Sequence, residues 1–443
     1  MATYYISGSG SDSSGNGSSG NPWRTLSKAN TSCAAGDTIL LRNGTYAAGQ
    51  NITKANTTWR ADTGHTPVID GGYSAARFLS GTGTGQRIAH PADIVHGITL
   101  SALGVTLDGV VVQNIAGMGI VLNHISTTVK NCKVFFTYNS SIMSNNGDKF
   151  IHHLLIENNF CCMASVNIFD PDRKQFENPN DQSVNGVMKV GNTQGGTIIR
   201  GNTICFGFGE GLNFGKFNKD DEGLNIIEGN TIHDNNHTLL YLNRSWGVIV
   251  RNNVLFHTGD TIHRWTDGDV SVGLSITDEE GTKPNTESWQ EGKRVWAYNN
   301  LVVNTSPLFR HAMQDHRTAI FEDIYVGFNT FVGGPETGIT VMDDGDPVIQ
   351  AHLQFKLNTG TEALIENNIV DTTNSRSAAP GDIVRGATAG IAFRNNLWGV
   401  QPQTTAARGP GDRVGIPELR NSLPPVRFTV LFPLASWMGK ATG

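Results

Sequence analysis

The sequence predicts an all-β solenoid, a single stack of strand-built coils, and three observations lead there. A short pattern recurs: Gly201-Asn202-Thr203-Ile204, Gly229-Asn230-Thr231-Ile232 and Arg251-Asn252-Asn253-Val254 superimpose with steps of 28 and 22 residues, a period that marks repeat architectures. Short runs of alternating apolar residues flank each copy, as in half-buried strands. With 52 Gly and only 16% charged residues, the composition suits turn-rich β structure and excludes a coiled coil or a disordered chain. A solenoid lengthens without needing a new core. The 443 residues therefore read as one stack over 1–400, followed by an irregular segment over 401–443.

From the N-terminus, Tyr4-Tyr5-Ile6 reads as the first strand and residues 8–20 as a Gly/Ser loop with nothing apolar to bury. Trp23 to Ala29 is amphipathic, with Trp23 and Leu26 on one face. It predicts a cap over the open sheet edge that ends such a stack. Ala35 to Tyr46 then reads turn, strand, turn. These segments, YYISGSGSD, NPWRTLSKA and AGDTILLRNGTY, resemble the opening of right-handed parallel β-helix proteins of the pectate-lyase-like superfamily. The Asn-rich coils are similar to that superfamily's repeats over about residues 3 to 400. The resemblance implies a right-handed single-stranded parallel β-helix of roughly a dozen coils, with an N-terminal cap helix within about residues 1–46.

Coils continue at Gly109, Cys132, Asn158, Asn202, Asn230, Asn252, Asn299, Asn329, Asn367 and Asn395. Steps of 44 (Asn158 to Asn202), 47 (Asn252 to Asn299) and 38 (Asn329 to Asn367) are each either two coils or one coil with a long loop. Stacked Asn amides can hydrogen-bond along a ladder about 4.8 Å apart, so these asparagines are structural. Cys132 takes the Asn position, and Cys161 and Cys205 fall at matching points of their coils, which leaves a Cys161–Cys205 bridge open beside a simple buried column. Val426 to Leu434 is too apolar for a free tail: it caps the stack or pairs with another subunit, as in a homotrimer.

A net charge of −6 and a pI of 6.1 exclude nucleic acid as partner, since phosphate binding needs a basic field. No apolar run spans a membrane. The N-terminus has no basic and apolar regions of a signal peptide, and the chain is expected outside the cell or on a virion surface.

Outward residues of successive coils form columns. Taking Leu240 and Leu242 as inward puts Tyr241 outward, with Asn213 below and His263 above; Glu210, Thr238 and Asp260 form a second column. The segments Met163–Gly196 and Gly259–Arg294 would wall this face into a groove with sugar-compatible Trp265 and Trp289. Asp234 and His237 stand at its rim, or Asp234 caps its own turn.

For a polysaccharide lyase, His263 or Lys216 is the candidate base, Tyr241 the acid, and Arg264 or Arg310 the neutraliser of a uronate carboxylate. For an inverting hydrolase, Glu210 and Asp260 stand two coils apart, about 10 Å. The cofactor expectation is calcium or none, the acidic turns being either ligand sets or simply solvated. Acidic turns supply calcium's oxygen ligands, lyases of the resembled superfamily often use it, and Asp220, Asp221 and Glu222 lie nearest the groove. The functional expectation is a carbohydrate-active protein acting on an acidic polysaccharide by β-elimination. Its rival is a non-catalytic adhesin or phage tail or capsid decoration.

Overall fold

The structure is a computed structural model that describes residues 1–73, 94–144, 151–166, 186–193, 195–217, 223–259, 271–278, 293–313, 322–334, 341–343, 346–349, 353–356, 363–372, 384–386, 391–400, 402 and 408–415. Among these residues the chain winds through three parallel sheets of 13, 13 and 11 strands, plus one antiparallel hairpin, Val341–Asp343 with Asp346–Ile349. One coil illustrates the path. Ile198–Arg200 lies in sheet I, Thr203–Cys205 in sheet II and Leu212–Phe217 in the 11-stranded sheet III; Asn225–Glu228 then returns to sheet I one rung higher. No described helix is long and apolar enough to cross a membrane.

Most strands of sheets I and II have only three or four residues, too few to bury a face alone, so each is held by its rungs above and below. Inward columns fill the interior: Ile156–Ile199–Ile227–Val250 from sheet I and Met188–Leu212–Leu240–Leu274 from sheet III, all fully buried. Burying each such side chain contributes about 1.5–3 kcal/mol.

The Asn ladder exists, but one residue later than the sequence places it in five coils. The stacked side chains are Asn159, Asn202, Asn230, Asn253, Asn300, Asn329, Asn368 and Asn396, all at most 2% exposed. Each amide Oδ1 accepts both the backbone N–H and the Nδ2–H of the Asn one rung below, at 2.9–3.1 Å. Cys132 N–H joins the ladder at Asn159 Oδ1, and Asp412 Oδ1 ends it. The preceding residues Asn158, Asn252, Asn299, Asn367 and Asn395 turn the corner at φ 54–57°, the left-handed region that Asn and Gly tolerate best. Gly201 and Gly229 do the same at φ 64° and 63°. An Asn-Asn pair thus holds two unlike jobs, and superposition on Gly-Asn misassigned them. The long steps are single coils, because Leu155–Glu157 pairs directly with Ile198–Arg200, Trp246–Arg251 with Lys293–Tyr298, and Glu322–Gly327 with Ala363–Glu366.

At the N-terminus, helix Leu26–Ser32 is capped by Thr25, whose hydroxyl accepts from Lys28 N–H. It buries Leu26 and Ala29 beside Trp23 over the first rung. At the other end Arg413–Val414 adds a rung to sheet II after Leu397–Trp398; Val426–Leu434 lies outside the described residues. All five cysteines are free. The buried-column reading of these cysteines stands and the bridge left open does not form: Cys161 faces inward and is in register with Ile204, while Cys205 is in register with Cys162.

His311 stands among apolar residues in the inward column Phe214–Leu242–Ile276–His311. Burial pulls its pKa from 6.5 down to about 3. The unfolded chain therefore binds a proton that the folded chain refuses between those two values. The associated stability is full above about pH 6.5 and falls as the pH drops through that window. Between pH 7 and pH 5 the wild type should lose about 2 kcal/mol more than His311→Leu, read from urea midpoints at the two pH values. Parallel loss in both proteins would contradict this placement.

Candidate functional site on sheet III

The central outward column of sheet III runs Lys189–Asn213–Tyr241–Ser275–Arg310. It faces out because its flanking neighbours, Leu240 and Leu242 around Tyr241 and Phe309 below Arg310, all belong to the interior. Asn213 stands below Tyr241, the neighbour that the 28-residue step leads one to expect. The residue above Tyr241 is Ser275, not His263, and Thr238 pairs with Val272, not with Asp260. The step of 22 belongs to the corner between sheets I and II; on sheet III the longer connection before Val272 sets a different offset. Val272 thus takes the rung position next to Thr238 that the 22-residue step assigns to Asp260, and the two-carboxylate arrangement of Glu210 and Asp260 falls partly outside the described residues.

Asp260, His263, Arg264, Trp265 and Trp289 lie outside the described residues, as do Asp220, Asp221 and Glu222. The backbone of Lys216 lies in strand Leu212–Phe217. Among the described residues no cluster of three or more His, Cys, Asp or Glu could hold a metal ion.

Arg310 is 5% exposed. Its Nε donates to Ser275 Oγ at 3.1 Å, and Ser275 Oγ lies 2.8 Å from Thr277 Oγ1. Its Nη2 is buried without a hydrogen-bond partner among the described residues. Tyr241 and Ser275 are buried, while Lys189 and Asn213 are half-buried. Beside the column, Glu210 accepts from Asn213 Nδ2, and its other oxygen lies 3.6 Å from His237 Nδ1. Glu210 thus stands between Asn213 of the column and His237, which lies at the corner before strand Thr238–Asn243 with its Nδ1 3.4 Å from Thr238 Oγ1.

Asp234 is not a groove residue. It is fully buried, accepts from Thr258 N–H at 2.8 Å and Thr258 Oγ1 at 3.0 Å, and lies 2.7 Å from His233 Nδ1 and 3.4 Å from His257 Nδ1. It caps the next coil's turn rather than its own.

Sequence reasoning missed Lys189 and Ser275. A signal was present for Lys189, since Met188-Lys189-Val190-Gly191 repeats the apolar-polar-apolar-Gly pattern of Leu212-Asn213-Phe214-Gly215, and the two segments pair in that register.

Residues 4–205 match the family model described as Pel9A-like, right handed beta helix region. No curated protein matches the chain. Among solved structures, pectate lyase Pel9A is 14% identical, with 93% of this chain and 79% of that one covered at a TM-score of 0.45. The A-module of mannuronan C-5 epimerase AlgE4 from Azotobacter vinelandii is 13% identical, covering 93% and 89%, at 0.48. PfbA, a surface adhesin of Streptococcus pneumoniae, is 11% identical, covering 88% and 86%, at 0.50. Likeness at such identities reaches the fold alone. The chain is accordingly a right-handed parallel β-helix protein whose residues 4–205 match a Pel9A-like helix region.

Proposed function

We propose that the outer face of sheet III binds an acidic polysaccharide along the helix axis and cleaves it by β-elimination. Arg310 carries this reading: a guanidinium that is 5% exposed, fixed through Nε and left at Nη2 without a partner among the described residues. A buried unpaired charge is costly, and a carboxylate answers a guanidinium edge with two parallel hydrogen bonds. Lys189, four rungs from Arg310 in the same column, meets a carboxylate further along the polymer.

In β-elimination the carboxylate must be neutralised so that the neighbouring C–H becomes acidic. A base then removes that proton, a C=C bond forms, the C–O bond to the next sugar breaks, and an acid protonates the leaving oxygen. Arg310 neutralises. Tyr241 is two rungs away, about 10 Å between backbones, within reach of the same sugar, and serves as the acid. His237, oriented by Glu210, is the base that the described residues offer.

The test is ultraviolet absorbance of unsaturated uronate with pectate, alginate, hyaluronan and capsular polysaccharides, with and without a calcium chelator. Absorbance growth on at least one polymer is the expected result. Silence on all of them, with retained binding, would replace this reading by the non-catalytic one.

A further inference from the structure

Sheet I carries an aromatic group on its outer face, away from the sheet III column. Trp296 pairs in register with Tyr325, and Tyr298 with Gly327. Their neighbours Val295, Ala297 and Val326 are buried in the interior, so Trp296, Tyr298 and Tyr325 face outward and are half-buried. A β-carbon on Gly327 would lie 2.2 Å from Tyr325 Oη and 2.4 Å from its Cζ. The Tyr325 ring therefore lies down across Gly327, flat along the sheet.

The next residue, Phe328, is 56% exposed and sits at φ 55°. This is the corner position that Asn158, Gly201, Gly229, Asn252, Asn299 and Asn367 occupy in other coils. A bulky side chain without a local hydrogen bond is strained there, and exposure leaves the ring little burial to offset that strain. Strain kept at an exposed site points to function rather than packing.

The polar tips of the group are held by charged or acidic neighbours. Trp296 Nε1 donates to Asp323 Oδ1 at 3.2 Å, Arg251 Nη1 donates to Tyr298 Oη at 3.2 Å, and the Glu366 carboxylate stands near the Tyr325 phenol.

We propose that this patch is a second, non-catalytic binding surface for the pyranose rings of a glycan. Flat apolar ring faces take the C–H face of a sugar, while Asp323, Glu366 and Arg251 at their edges meet its hydroxyls. A protein partner would favour an aromatic centre with few charges; here the tips of Trp296 and Tyr298 each bond a charged side chain. The choice of a glycan rests on the carbohydrate reading of sheet III, but the two surfaces lie on different faces and fail separately.

The test is native affinity electrophoresis in gels containing polygalacturonate, alginate, hyaluronan or xylan, run in an Arg310→Gln background so that the sheet III site is disabled. Retardation is expected in at least one gel, and Phe328→Asn and Trp296→Leu should each weaken it about five-fold or more. Phe328→Asn should at the same time raise Tm, because Asn fits the corner, so lost binding could not be blamed on misfolding. Unaltered retardation in both variants, or none in the parent, would overturn the proposal. Turnover by the same variants with intact Arg310 should match wild type on short oligosaccharides, which separates failure of this patch from failure of the lyase reading.

Discussion

Arg310→Gln is expected to lower kcat/KM on the cleaved polysaccharide by about 10²–10³-fold while leaving Tm unchanged or slightly raised. The two signs come from one feature. Arg310 holds a buried charge whose Nη2 lacks a partner among the described residues, so the free protein bears a desolvation cost that a neutral Gln removes. In the reaction the same charge stabilises the carboxylate as negative charge accumulates on it, and a neutral amide cannot do so. Arg310→Lys should fall between, since an ammonium keeps the charge but loses the planar fork. Steady-state kinetics and a thermal melt on the three proteins check this. If Arg310→Gln loses several degrees of Tm together with activity, the residue is structural and the lyase reading loses its main support.

Asn253→Ala is expected to destabilise the helix by about 3–6 kcal/mol, the sum of several buried polar groups left unsatisfied at about 1–3 kcal/mol each. Its Oδ1 accepts from Asn230 N–H and Asn230 Nδ2, and its own Nδ2 donates to Ile227 O and Asn300 Oδ1. Asn253 is fully buried, so the groups it leaves behind are cut off from bulk water. Asn252→Gly, one residue away, should change stability by less than about 1 kcal/mol, because φ 57° suits glycine at least as well. Urea unfolding of both variants reads the contrast. Equal effects would mean that the two asparagines share one role.

That neighbouring pair also marks where reading the sequence ran out. The repeat itself was legible because coil after coil reuses one pattern of apolar strand, polar corner and apolar strand. The Thr25-capped helix over the first rung was legible in the amphipathic run after Trp23. Which Asn of a pair turns the chain and which stacks was not, since both are the same residue and only φ separates them. The same limit put Cys162 rather than Cys161 in register with Cys205, because on a strand one residue of register exchanges inside for outside.

For the candidate site the sequence determined the outward direction of Tyr241 and the partnership with Asn213, both fixed by alternation and by a coil of constant length. Tertiary structure alone decided that Ser275 and Arg310 continue that column and that Asp234 is a buried cap. The reason is physical: hydrogen bonds between parallel strands set which rungs are neighbours, and connections of unequal length between those strands erase the arithmetic that would otherwise predict them.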